Sequence, residues 1–86
     1  MQQHFLLPFL LEDFGLRLAQ VREAAGISQA GLAKSLNIAR YTQIRYEKPT
    51  GDKDQTFPPL TYVNQAHALG LDMHYVLTGK KDPSHK

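Results

Sequence analysis

The sequence contains no cysteine. That excludes disulfides and cysteine-ligated zinc, and it fits a cytosolic home. It also has no apolar run long enough to span a bilayer as a helix. The most hydrophobic stretch, His4 to Leu11, is too short for that and is interrupted by Pro8. The same stretch lacks a basic leader and a small-residue cleavage site, so no signal peptide is expected. There is no glycine-rich phosphate loop and no Ser/His/Asp order of a catalytic triad. The four histidines, His4, His67, His74 and His85, do not fall at metal-ligand spacing and read as surface residues. A chain of 86 residues buries one modest core and offers no second layer to wall a substrate pocket. These absences argue against an enzyme, and neither a cofactor nor a metal is expected.

What is present reads as one small helical domain. The hydrophobic fraction of 42% and charged fraction of 21% are those of an ordinary globular chain. The net charge of only +2 says little, but its distribution says more. From Gly15 to Lys48 there are six basic residues against two acidic ones, a net of +4, and the remainder carries four basic and six acidic residues, a net of −2. Concentration of positive charge in one segment suits a phosphate-binding face; the bland alternative is a solvated helix surface.

Apolar periodicity and capping residues predict five helices and no strand. The first, about 13–25, carries Phe14, Leu18, Val21 and Ala25 on one face, with Arg17, Gln20 and Arg22 on polar faces, Asp13 as N-cap and Gly26 as stop. Ser28 caps a second helix, about 29–36, with Leu32, Ala33 and Leu36 inward. Asn37 stands where a left-handed turn residue is needed, and a third helix covers about 39–47. A polar, proline-bracketed loop runs from Lys48 to Pro59. A fourth helix, about 60–69, places Leu60, Val63, Ala66 and Leu69 inward and ends at Gly70; Asp72 caps a fifth, about 73–78. The organisation is therefore an apolar arm at 1–12, a helical domain at 13–79 and a basic tail at 80–86.

Two short helices joined by a tight turn suggest a helix-turn-helix. Ala33 is small enough for a close crossing, and Leu36 and Ile38 flank the turn. The run Phe14-Gly15-x-Arg17-Leu18-x-x-x-Arg22-x-x-x-Gly26-Ile27-Ser28-Gln29-x-x-Leu32-Ala33 resembles the opening of the Xre family, the Cro and phage-repressor type of DNA-binding domain. Tyr46-Glu47 and the stretch from Ala66 to Gly79 continue the likeness, which spans about residues 14–79.

The resemblance implies an all-α, five-helix bundle of the lambda-repressor-like kind that binds double-stranded DNA as a homodimer. It implies a phosphate contact and a bracing role for Gln29, exposed recognition-helix positions for Arg40, Tyr41, Thr42 and Arg45, and a buried ion pair between Arg22 and Glu47. Chemistry agrees: a helix start attracts phosphate, and arginine pairs bidentately with guanine.

Two departures matter. Gln43 is polar where the family carries an apolar residue, so either the third helix is rotated or Gln43 joins the DNA-facing set. The Lys48–Pro59 loop exceeds the family norm; it either approaches the DNA backbone through Lys48 and Lys53 or is a mobile insertion, the reading favoured here. Phe5, Leu6, Phe9 and Leu10 of the arm are expected to pack on the domain or across a dimer interface, for which Tyr75 and Val76 are the other candidates. The expected activity is that of a cytoplasmic transcriptional repressor. An antitoxin with a toxin protein as partner and an interaction module that has lost DNA binding are the alternatives. No ligand-sensing domain is expected.

Overall fold

The computed structural model describes residues 11–80. The expectations for the arm residues Phe5, Leu6, Phe9 and Leu10 and for most of the basic tail lie outside them. The described chain is all-helical: α1 (Phe14–Ala24), α2 (Gln29–Ser35), α3 (Arg40–Tyr46), α4 (Leu60–Ala68) and α5 (Met73–Thr78). α2 packs on α3, α1 on α5, and α4 on α5. No described helix is long and apolar enough to cross a membrane.

Three helices stop by the same device. At Gly26, Asn37 and Gly70 the backbone turns left-handed, with φ of 75°, 57° and 100°. The next residue then donates back across six residues, Ile27 to the Arg22 carbonyl, Ile38 to Ala33 and Leu71 to Ala66, at 3.2, 3.0 and 3.1 Å. These bonds satisfy carbonyls that a helix end leaves without partners. Each also turns an apolar residue, Ile27, Ile38 or Leu71, back onto the core. At the starts, Ser28 Oγ accepts from Gly31 N at 2.9 Å and Asp72 Oδ1 from Tyr75 N at 3.0 Å. Asp13 departs from its expected role: it is itself left-handed, at φ 65°, and its side chain caps nothing. Its N–H instead donates to Thr50 Oγ1 at 2.8 Å, tying the start of α1 to the long loop.

The core gathers Phe14 and Leu18 of α1, Leu32 and Leu36 from α2 and its C-cap, Tyr46 of α3, Tyr62 and Ala66 of α4, and Leu71, Met73 and Val76 around α5. Three expectations need correction. Arg17, assigned to a polar face, is buried because its Nε donates to the Val76 carbonyl at 2.9 Å and its Nη1 to the Glu12 carbonyl at 2.8 Å. Val76 lies in the last turn of α5, where a carbonyl has no helical partner, so the burial is compensated. On α4 Val63 and Ala66 face the core as expected and Tyr62 joins them, whereas Leu60 and Leu69 are 79% and 51% exposed. Tyr62 brings more apolar surface than a leucine, and its ring meets Tyr46 edge to face at 4.9 Å. Val76, offered as a dimer contact, is wholly buried in its own domain.

The loop from Lys48 to Pro59 packs back onto the helices. Thr56 N donates to the Arg45 carbonyl at 3.2 Å, Arg45 Nε donates to the Asp54 carbonyl at 3.2 Å, and Phe57 meets Phe14 edge to face at 5.5 Å.

α1 and the end of α3 meet backbone to backbone at Gly15. A Cβ there would stand 2.3 Å from the Lys48 carbonyl oxygen and 2.8 Å from the Glu47 carbonyl carbon. Only glycine permits that approach. Gly15→Ala should therefore destabilise the domain by about 1–3 kcal/mol, although alanine gains about 1 kcal/mol in helix propensity. Thermal melting of the two proteins checks this, and equal or higher stability in the variant would contradict it.

Candidate nucleic-acid interface

α3 has two chemically different sides. Arg40 and Tyr41 are exposed, and Thr42 and Arg45 are half-buried. Gln43 and Tyr46 face inward, with Gln43 wholly buried. The seven-residue helix thus presents Arg40, Tyr41 and Arg45 outward from its first two turns.

The inward side is fixed by a buried polar network centred on Glu47. Its carboxylate accepts from Arg22 Nε at 2.7 Å and Arg22 Nη2 at 3.0 Å, a bidentate pair joining α1 to the C-cap of α3. It also accepts from Gln29 Nε2 at 3.1 Å and from Gln43 Nε2 at 2.7 Å. The Gln43 amide oxygen in turn accepts the Tyr62 hydroxyl at 2.7 Å, bringing in α4. Arg22 Nη1 completes its own set on the Ile27 carbonyl at 2.8 Å. Charged acceptors give the stronger hydrogen bonds, and burial without partners would be costly. The Arg22 and Glu47 side chains are only 9% and 5% exposed, and each guanidinium nitrogen of Arg22 has an acceptor.

Titration behaviour follows this packing. The Arg22 guanidinium is held above its ordinary range, chiefly by its hydrogen bond to Glu47. Burial pushes the Tyr62 phenol well above the ordinary tyrosine range, and the Glu47 charge acts in the same direction.

The network settles the position of Gln43. Its DNA-facing assignment is corrected: with no exposed surface, it cannot touch a ligand without leaving the core. An amide is tolerated in the interior here because both of its ends find partners, Glu47 one turn along the helix and Tyr62 across it. Gln29 is half-buried and spends one N–H on Glu47, so the brace between α2 and α3 is present. Lys48 is half-buried just beyond α3.

Arg45 carries constraints that its sequence position did not announce. Its Cζ lies 5.7 Å from the centroid of the Tyr41 ring, one turn earlier, and its Nε is held by the Asp54 carbonyl. The sequence signal for the first is the i, i+4 spacing. For the second there is none, because the acceptor is backbone.

Of the six basic residues between Gly15 and Lys48, Arg17 and Arg22 are consumed inside the fold. Lys34, Arg40, Arg45 and Lys48 reach the surface. Elsewhere, α4 and α5 enclose a shallow groove of about 420 Å³ lined by Leu60, Val63, Met73 and Leu77 with His67 and His74. Comparison with protein-family models, curated proteins and solved structures gives no match.

Gln43→Leu should destabilise the fold by about 1–3 kcal/mol by orphaning the Tyr62 hydroxyl and removing a donor to Glu47. Adding Tyr62→Phe to that variant should cost less than it does in the wild type, and additive losses in denaturant unfolding would contradict the coupling.

Tyr62 also sets an alkaline limit. Above the ordinary tyrosine value of about 10, the unfolded chain loses a proton that the folded chain keeps, so stability falls as pH rises. Denaturant titrations from neutral to alkaline pH should show a shallower fall in Tyr62→Phe than in the wild type.

Proposed function

We propose that this chain is a sequence-specific DNA-binding regulator, a cytoplasmic repressor whose α2–turn–α3 unit acts as a helix-turn-helix and whose dimer engages a near-palindromic site. The observation that supports it best is the division of α3. Arg40, Tyr41 and Arg45 face outward, while Gln43 and Glu47 lock the helix to α1, α2 and α4. A helix held from three sides can present side chains at fixed positions to base edges in a major groove. The positive surface residues Lys34, Arg40, Arg45 and Lys48 provide the nonspecific attraction to phosphate that such docking needs.

In this reading Arg40 and Arg45 read bases, Tyr41 and Thr42 lie beside them, and Gln29 and Lys48 hold phosphates. A single domain makes few phosphate contacts, so a second copy supplies the other half-site about one helical turn away, ~34 Å. Neither a cofactor nor catalysis forms part of the reading. A second reading, a protein-interaction module, draws on the apolar groove between α4 and α5, where Leu60 is 79% exposed.

Selection from a random DNA pool, followed by binding at several salt concentrations, tests the assignment. Arg40→Ala should cost about 1–3 kcal/mol on the selected site and relax one base pair. Lys48→Ala should weaken binding to all sequences alike and lower the salt slope by about one. No enrichment at low salt would leave the interaction module as the account, with Arg40 and Arg45 exchangeable.

A further inference from the structure

Arg40 and Arg45 differ in their surroundings. Arg40 is exposed, whereas Arg45 sits between the Tyr41 ring, 5.7 Å from its Cζ, and the Asp54 carbonyl, which takes its Nε–H at 3.2 Å. Both contacts leave the terminal Nη groups of Arg45 without a hydrogen-bond acceptor among the described residues, and these are the donors a bidentate pair with guanine uses.

The Asp54 carbonyl is itself placed by the loop. Asp54 N donates to Asp52 Oδ1 at 2.8 Å, and Gln55 N to the Asp52 carbonyl at 3.0 Å, a local turn built on one aspartate. Thr56 Oγ1 shares the Asp54 carbonyl at 3.3 Å, and Thr56 N donates to the Arg45 carbonyl at 3.2 Å. The loop is thereby closed onto the residue it restrains.

Resting on the reading of α3 as the base-reading helix, we propose that the Lys48–Pro59 loop is a specificity element, with Asp52 as the positioning residue that aims Arg45. Arginine otherwise loses much rotamer freedom when it docks, a cost that falls on affinity. Here the Tyr41 ring and the loop carbonyl order the side chain during folding. Arg45 then meets DNA with one orientation, so a wrong base pair at its position is not accommodated by a change of rotamer. Asp52 touches neither Arg45 nor DNA in this scheme; it acts through the Asp54 peptide.

The test compares the wild type with Arg45→Ala, Asp52→Ala and Asp52→Asn in selection from a random DNA pool. Arg45→Ala should flatten one base pair. Asp52→Ala should weaken preference at that same pair by about threefold to tenfold, the size of an ordering cost for one long side chain. Asp52→Asn keeps the acceptor oxygen and should keep the preference. Both Asp52 variants lose the same negative charge, so any general gain in affinity appears in both and is not the signal. Unchanged preference in Asp52→Ala, or equal loss in both Asp52 variants, overturns the proposal.

A second measurement needs no DNA. The Arg45 Nε–H resonance should be protected from exchange in the wild type and Asp52→Asn and lose that protection in Asp52→Ala, with melting temperature retained. Failure of the wild type to select any sequence would overturn the functional reading and the specificity role together. An unprotected Arg45 Nε–H in a wild type that does select DNA would overturn the loop's role alone.

Discussion

The Glu47 carboxylate is the point on which the arrangement turns. It receives two N–H groups from Arg22, one from Gln29 and one from Gln43. A carboxylate this deeply enclosed is tolerated only when its lone pairs are matched, because an unpaired buried charge is far more costly than the pair is favourable. The requirement works as a geometric constraint. α1, the start of α2 and the end of α3 must each bring a donor to one site, so their relative placement is fixed more tightly than apolar contact alone would fix it. Gly15 belongs to the same constraint, since its missing side chain lets α1 approach the Glu47–Lys48 backbone closely enough for Arg22 to reach.

The second tier of the network extends this order to α4. Gln43 relays between Glu47 and Tyr62, and Tyr62 packs edge to face on Tyr46. A leucine at position 43 would fill comparable space but transmit no direction. The amide demands a particular rotation of α3, and that rotation decides which of its side chains look outward. The division of α3 into a held side and a presented side is therefore a consequence of buried hydrogen bonding.

Legibility followed the range of the interactions. Helix positions were readable because caps and stops are local: Ser28 with Gly31, Asp72 with Tyr75, and the left-handed turns at Gly26, Asn37 and Gly70 each involve residues within a few positions of one another. On α4 the expectation holds for Val63 and Ala66 and fails for Leu60 and Leu69, because the stripe through Leu60, Val63, Ala66 and Leu69 fits the helical period as well as one that includes Tyr62. Periodicity cannot rank two overlapping stripes when the deciding contact is a hydroxyl bond to a residue 19 positions away. Arg17 was misread for the same reason, its acceptor being a carbonyl 59 positions distant.

By itself the sequence determined that the described chain is helical, where its helices begin and end, and that its positive charge gathers between Gly15 and Lys48. All of these are set by short-range sterics, capping and composition. Tertiary structure alone decided that Arg17 belongs to the interior, that Gln43 is a relay instead of a surface contact, and that the Lys48–Pro59 loop closes over Arg45. Those outcomes depend on which backbone carbonyls and side-chain acceptors lie within about 3 Å of each donor once the helices have packed. A backbone carbonyl such as that of Asp54 has no identity in the sequence until the fold places it.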